Sequence, residues 1–212
     1  MIHPQLIEYM QAIQPQRNEA YQKLEVRAEH DQVPIIPPET GYFLQLICSL
    51  QKPKTILEVG TAIGYSTMWL FDHTSAIIDT IEIDAGRMEE ARELFATIDR
   101  DQRISLYHGD ANEVLPALAS ERKSYDLIFI DAAKGQYMKY FQVIEQLSKS
   151  GTIVLTDNVF FHGMVAGIEQ PPKRLKPLVD KIDKYNRMLH LLPGWRTSFY
   201  SIGDGIAVSV KE

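Results

Sequence analysis

Residues 54–66 read Lys-Thr-Ile-Leu-Glu-Val-Gly-Thr-Ala-Ile-Gly-Tyr-Ser. An apolar strand pattern runs into a glycine turn and then into a helix pattern. Twenty-two residues after Gly60, a second strand pattern, Ile77-Ile78-Asp79-Thr80-Ile81-Glu82, ends in a carboxylate. A parallel α/β sheet binds a nucleoside in this way. The glycine turn lets the ligand approach the backbone, and the acid closing the next strand accepts hydrogen bonds from both ribose hydroxyls.

The glycine spacing selects the class of nucleoside. A dinucleotide fingerprint is G-x-G-x-x-G, with a helix N-terminus facing the pyrophosphate. Here the turn is Gly60-x-x-x-Gly64, and Ala62 stands where the second dinucleotide glycine would be. This is the spacing of S-adenosylmethionine sites, whose ligand has no phosphate, and it speaks against a dehydrogenase. Taken alone, the same run also suits an ordinary β-turn-α connection.

Outward from this core, strand and helix patterns alternate. Strands are expected at 55–59, 77–82, 103–107, 125–130 and 152–156, with helices at 64–72, 85–98, 111–119, 135–148 and 174–191. Asp126-Leu-Ile-Phe-Ile130 is apolar on both faces after its start, as a central parallel strand must be. Two more strands, 195–201 and 205–211, flank Gly203-Asp204-Gly205 and are expected to pair as an antiparallel hairpin. The expectation is one domain over 1–212. It is a doubly wound, mostly parallel seven-stranded α/β sheet with a C-terminal antiparallel hairpin. An N-terminal helical extension covers about 1–50. Within it a helix is read over 3–29 and another over 39–50, joined by Asp31-Gln-Val-Pro-Ile-Ile-Pro-Pro38, whose prolines forbid regular helix.

Composition bounds the function classes. A chain of 212 residues, 45% hydrophobic and 24% charged, suits one globular domain with a full core. No apolar run reaches the length of a membrane span. Met1-Ile-His-Pro-Gln5 lacks a basic region followed by an apolar stretch, so a cytoplasmic location is the expectation. The single cysteine, Cys48, lies in an apolar run and is expected to be buried. Net charge is −6, against a globally basic nucleic-acid binder. Residues 171–200 differ: Lys173, Arg174, Lys176, Lys181, Lys184, Arg187 and Arg196 face only Asp180 and Asp183, a net of +5 that leaves −11 elsewhere. That segment reads either as a solvated helix face or as a patch for a polyanion.

In an open α/β sheet, ligands sit beyond the carboxyl ends of the strands. Those ends carry Glu58 with Gly60, Glu82 with Asp84, Gly109 with Asp110, Asp131 with Lys134, and Asp157 with Asn158. Asp131, Asp157 and Asn158 offer two carboxylates and an amide carbonyl, an all-oxygen set that suits Mg²⁺ or a similar divalent cation. Asp157-Asn158 also suits a loop cap, since Asx residues favour turns. Lys134, three residues after Asp131, reads either as a surface lysine or as a base for an acceptor hydroxyl. A base there must be held neutral by a neighbouring cation and partial desolvation. Trp69 and Trp195 are expected in the core.

These runs resemble the cation-dependent class I O-methyltransferases, the catechol and caffeoyl-CoA O-methyltransferase family, with its Rossmann-like methyltransferase fold. The likeness lies in Ile56 to Ser66, Thr80-Ile81-Glu82, Phe129-Ile130-Asp131-Ala132-Ala133-Lys134-Gly135-Gln136-Tyr137, Thr156-Asp157-Asn158-Val159 and Gly203 to Val208, and it covers nearly the whole chain. It implies that Asp131, Asp157 and Asn158 ligate the metal and that Lys134 is the catalytic base. It also implies that Glu82 accepts from the ribose, that Gly60 and Ser66 contact the methionine part, and that Asp110 contacts adenine. Asp131 would further face the methionine amino group, and Ile36 would touch the donor. Homodimers are implied as well, with the amphipathic N-terminal helix as a contact.

Within the family, the chain most resembles a bacterial branch that methylates 5-hydroxyuridine at the tRNA wobble position to 5-methoxyuridine. Val33-Pro-Ile-Ile36, Asp157-Asn-Val-Phe-Phe-His-Gly163 and the basic 173–196 segment carry that likeness. The branch implies a tRNA anticodon loop as partner, with Tyr65, Phe160, Phe161 or Tyr185 available to stack on bases. His162 stands where a basic residue is expected. A catechol-like or caffeoyl-CoA-like small molecule is the alternative acceptor, because it offers the same pair of adjacent oxygens.

Overall fold

The computed structural model describes residues 4–212; His3, with which the first expected helix begins, lies outside them. The elements run α1 (Pro4–Ile13), α2 (Glu19–Asp31), α3 (Pro38–Gln51), β1 (Thr55–Val59), α4 (Tyr65–Asp72), β2 (Ile77–Glu82), α5 (Ala85–Ile98), β3 (Ile104–His108), α6 (Ala111–Ser120) and β4 (Tyr125–Ile130). There follow a 3-10 turn (Lys134–Gln136), α7 (Tyr137–Leu147), β5 (Ser148–Thr156), α8 (Lys176–Leu191), β6 (Trp195–Tyr200) and β7 (Ile206–Lys211).

The seven strands form one sheet in the order β3-β2-β1-β4-β5-β7-β6. β1 to β5 are parallel, and β7 runs antiparallel to both β5 and β6. Strand order reverses between β1 and β4, which opens a crevice beyond their carboxyl ends. Side chains alternate across the sheet, so two cores form. Leu57, Val59, Ile81, Ile128 and Ile130 pack on the face covered by α6, α7 and α8. Ile56, Ile78, Leu127 and Phe129 pack on the face covered by α2, α3 and α4. Each of these fully buried side chains contributes about 2 kcal/mol relative to exposure.

Three expected elements differ. The helix read over 3–29 is two, because Pro15 interrupts it and the Asn18 side chain caps a new start by accepting from the Ala20 and Tyr21 amides. The helix expected at 135–148 begins as a 3-10 turn at Lys134 and becomes α-helix at Tyr137. β5 starts at Ser148 rather than 152, with a register irregularity against β4 between Tyr125 and Leu127. Trp69, Trp195 and Cys48 are buried, as expected. Among the described residues no helix is long and apolar enough to cross a membrane.

Candidate functional site

A cavity of about 580 Å³ opens at the β1/β4 switch point. Its floor is the turn between β1 and α4. Gly60 has φ +106°, and a Cβ there would lie 2.0 Å from the Asp131 carbonyl oxygen, so glycine is required by both conformation and contact. The Gly60 and Thr61 amides donate to the Ile81 carbonyl at 3.0 and 3.1 Å, which stitches the turn to β2. Gly64, at φ +88°, packs against Phe95 and Leu94 of α5 and caps α4.

Glu82 closes β2 and is 6% exposed. Its Oε2 accepts from the Ala62 amide and its Oε1 from the Asp84 amide, both at 2.8 Å. The carboxylate therefore fixes two loops while lining the cavity, the placement a ribose acceptor needs. Ser66, Ile36 and Asp110 also line the cavity. Asp110 caps α6 by accepting from the Asn112 backbone amide at 2.8 Å. Gly60, Ser66, Glu82, Asp110, Asp131 and Ile36 thus all line this one cavity.

Glu58 does not. It is 0% exposed and lies outside the cavity lining. Strand alternation turns it to the α4 face, where it accepts from the Thr67 hydroxyl and, at 2.6 Å, from the Thr80 hydroxyl. Burial pushes its carboxyl up to about 7, opposed by the hydroxyls of Ser66, Thr67 and Thr80. Glu58 braces α4 and β2 beneath the turn, outside the cavity.

The other half of the cavity is acidic. Asp131 follows β4 and Asp157 follows β5, and those strands pair with Ile130 opposite Thr156. The Asp131 amide donates to the Val59 carbonyl at 2.9 Å and the Asp157 amide to the Ile130 carbonyl at 3.0 Å, so both side chains spring from strand-like backbone. Asp157 is 1% exposed. Its Oδ1 accepts from the Asn158 amide at 2.8 Å, and its carbonyl accepts from the Tyr137 hydroxyl at 3.0 Å. Asn158 adopts φ +57°, which presents it to the cavity beside Asp157.

Burial pushes the Asp157 carboxyl up to about 8, and the nearby Asp131 charge adds to the rise. Burial also raises Asp131, with Lys134 opposing. Lys134 opens the 3-10 turn and lines the same cavity. Among the described residues no group of three or more Asp, Glu, His and Cys residues could hold an ion. The set here is two carboxylates and the Asn158 amide, which falls outside that composition. A buried acid and a partly buried one at the ends of adjacent strands, with an amide carbonyl beside them, match the donor chemistry of a hard divalent cation whose remaining positions go to water or substrate.

The rim contains groups the sequence reading did not weigh. Asp204, read there only as part of a turn, lines the cavity and accepts from the His162 amide. Arg87, Gln136 and Tyr140 are lining residues too. Of the stacking candidates, Tyr65 and Phe161 line the cavity. Tyr185 is 0% exposed and bonded to the Thr156 hydroxyl at 2.8 Å, so it cannot stack on a base, while the partly buried Phe160 packs against Gly205 outside the cavity lining. In the basic segment, Lys176 pairs with Asp180, Arg187 with Asp183 and Arg196 with Glu212. Lys173, Arg174, Lys181 and Lys184 are exposed and make no ion pair among the described residues. The Lys181 ammonium lies 3.8 Å from where a Cβ on Gly135 would stand, next to Lys134.

Comparison with known proteins agrees with this geometry. A family profile described as O-methyltransferase matches residues 12–212. A catechol O-methyltransferase of Niastella koreensis is 34% identical over 73% of this chain and 69% of its own length. A caffeoyl-CoA O-methyltransferase of Medicago sativa is 28% identical over 92% of this chain and 82% of its own. The solved O-methyltransferase of Bacillus cereus in complex with SAH superposes with a TM-score of 0.85 at 25% identity, covering 97% of this chain and 96% of that one.

Proposed function

The chain belongs to the O-methyltransferase family and is an S-adenosylmethionine-dependent enzyme, and from that premise we propose that it methylates 5-hydroxyuridine at the tRNA wobble position with the help of a divalent cation. The donor would lie along the Gly60–Ser66 turn. Its ribose would bond Glu82, its adenine would rest by Asp110 and its amino group would face Asp131. Asp131, Asp157 and Asn158 would hold Mg²⁺ or a similar ion, which would supply a positive charge that acidifies an acceptor hydroxyl.

In 5-hydroxyuridine the 5-hydroxyl and 4-carbonyl form a pair of adjacent oxygens. Lys134 receives the hydroxyl proton, the oxygen attacks the sulfonium methyl, and S-adenosylhomocysteine leaves. Positioning and charge neutralisation supply most of the rate, since no covalent enzyme intermediate is needed.

The observation that carries the RNA acceptor is the pair of exposed lysines of α8 that make no ion pair among the described residues, Lys181 and Lys184, the first of which stands beside the Lys134 turn. Cations there would hold anticodon-loop phosphates while one base enters the cavity. A catechol-like acceptor is the second reading, favoured by the identity to a catechol O-methyltransferase. We further propose a cytoplasmic homodimer, in which a partner covers the exposed Leu6, Tyr9 and Ile13 of α1.

The test is mass spectrometry of tRNA nucleosides from cells with and without the gene, together with turnover of hydroxylated tRNA and of a catechol across a salt series. Loss of 5-methoxyuridine and salt-sensitive tRNA turnover support the proposal. Unchanged nucleosides with salt-insensitive catechol turnover reverse it.

A further inference from the structure

We infer that Glu25, in the N-terminal extension, is a positioning residue for the methyl donor, acting through Tyr65. Tyr65 is the first residue of α4, follows the Gly64 cap and lines the cavity next to Ser66. Its hydroxyl donates to Glu25 Oε1 at 2.6 Å. Burial and the Glu25 bond hold the phenol protonated, so Tyr65 is the donor in this pair. Glu25 is itself clamped by Arg17, Nε to Oε1 at 2.6 Å and Nη2 to Oε2 at 3.0 Å. A two-point guanidinium–carboxylate pair fixes direction as well as distance.

The same helix that presents Glu25 leads into the 32–37 connection, and Pro34, Ile35, Ile36 and Pro37 line the same cavity. One carboxylate thus joins two parts of the lining that are far apart in sequence: the donor turn, through Tyr65, and the proline-rich segment, through α2. The side chain touches no ligand. Its effect is to set the gap into which the methionine part and ribose must fit, and pre-set geometry lowers the ordering cost of binding. The inference concerns the donor alone and is independent of the acceptor.

A second clasp on the same helix supplies the control. The Tyr21 hydroxyl donates to Asp72 at 2.9 Å, at the far end of α4 and outside the cavity lining. Both clasps dock α2, but only the first reaches a cavity residue.

The experiment is calorimetric titration of S-adenosylhomocysteine into the full chain, with melting temperatures in parallel. Glu25→Ala is expected to weaken binding about tenfold, as loss of one charge-assisted hydrogen bond predicts. Glu25→Gln, which keeps an acceptor for Tyr65, recovers most of the affinity. Asp72→Ala lowers the melting temperature and leaves affinity within twofold. Tyr65→Phe, which deletes one hydroxyl and keeps the ring, gives the same direction of change as Glu25→Ala and serves if Glu25→Ala does not fold. Wild-type affinity in Glu25→Ala, or in Tyr65→Phe where that variant stands in, overturns the inference. So does a loss in Asp72→Ala equal to that in Glu25→Ala, or a Glu25→Gln variant as weak as Glu25→Ala, since either would mean that Glu25 only docks the helix.

Discussion

Gly60 and Asp131 meet backbone to backbone: a methyl group on Gly60 would sit 2.0 Å from the Asp131 carbonyl oxygen. The glycine turn after β1 and the acidic end of β4 are therefore in direct contact, and under the proposed function the sulfonium and the acceptor would both be positioned through it.

Gly60→Ala tests that unit. The residue must hold φ +106° and displace the Asp131 backbone, so destabilisation of about 3 kcal/mol is expected. Urea denaturation measures the loss. Binding of S-adenosylhomocysteine should fall with it, even at temperatures where the variant remains folded.

Glu58 gives the fold a pH dependence of defined sign. Its carboxyl rises from 4.5 to about 7 on folding, so the native state holds the proton more tightly than the unfolded chain. The associated stability is complete below about pH 4.5 and is lost as pH rises through 7, a change of about 3 kcal/mol. Glu58→Gln should abolish this slope. The check is the difference in unfolding free energy between wild type and variant from pH 4.5 to 7.5, which should shift steadily in favour of the variant.

Asp157→Ala separates the acidic half of the cavity from the donor half. Methyl transfer should fall by at least about 100-fold, while S-adenosylhomocysteine affinity stays within threefold. In chelator above about pH 8, where Asp157 ionises, the variant should also melt higher than wild type, because it removes a buried charge that Asp131 repels. Turnover near the wild-type rate would remove Asp157 from the proposed ligand set.

Lys181→Glu addresses the acceptor. It should weaken tRNA binding about tenfold at low salt and lower the slope of log Kd against log salt by about 1. Filter binding at four salt concentrations reads both quantities.

Much of this was legible along the chain. β1, β2 and β4 begin and end where their apolar patterns do, because a central parallel strand is apolar on both faces and bounded by turn residues. The placement of Glu82, Asp110, Asp131, Asp157 and Asn158 on one cavity followed from the rule that strand carboxyl ends share an edge.

What failed was tertiary. Glu58 sits two residues before Gly60 and looked like part of the edge, but strand alternation buries it on the other side of the turn. Tyr185 lies in the basic segment, yet it is the apolar face of α8 that carries it inward to Thr156. The insertion of β7 between β5 and β6, and the bond from Glu25 to Tyr65, join residues whose local sequence contains no trace of the partner. Pro15 and Asn18, by contrast, were readable signals for the break between α1 and α2.

The most direct test is the initial rate of methyl transfer to tRNA bearing 5-hydroxyuridine after complete chelation of divalent ions, and again after Mg²⁺ is restored. The account predicts that transfer stops on chelation and returns with the ion in wild type, but does not return in Asp157→Ala. Undiminished transfer in chelator would contradict it.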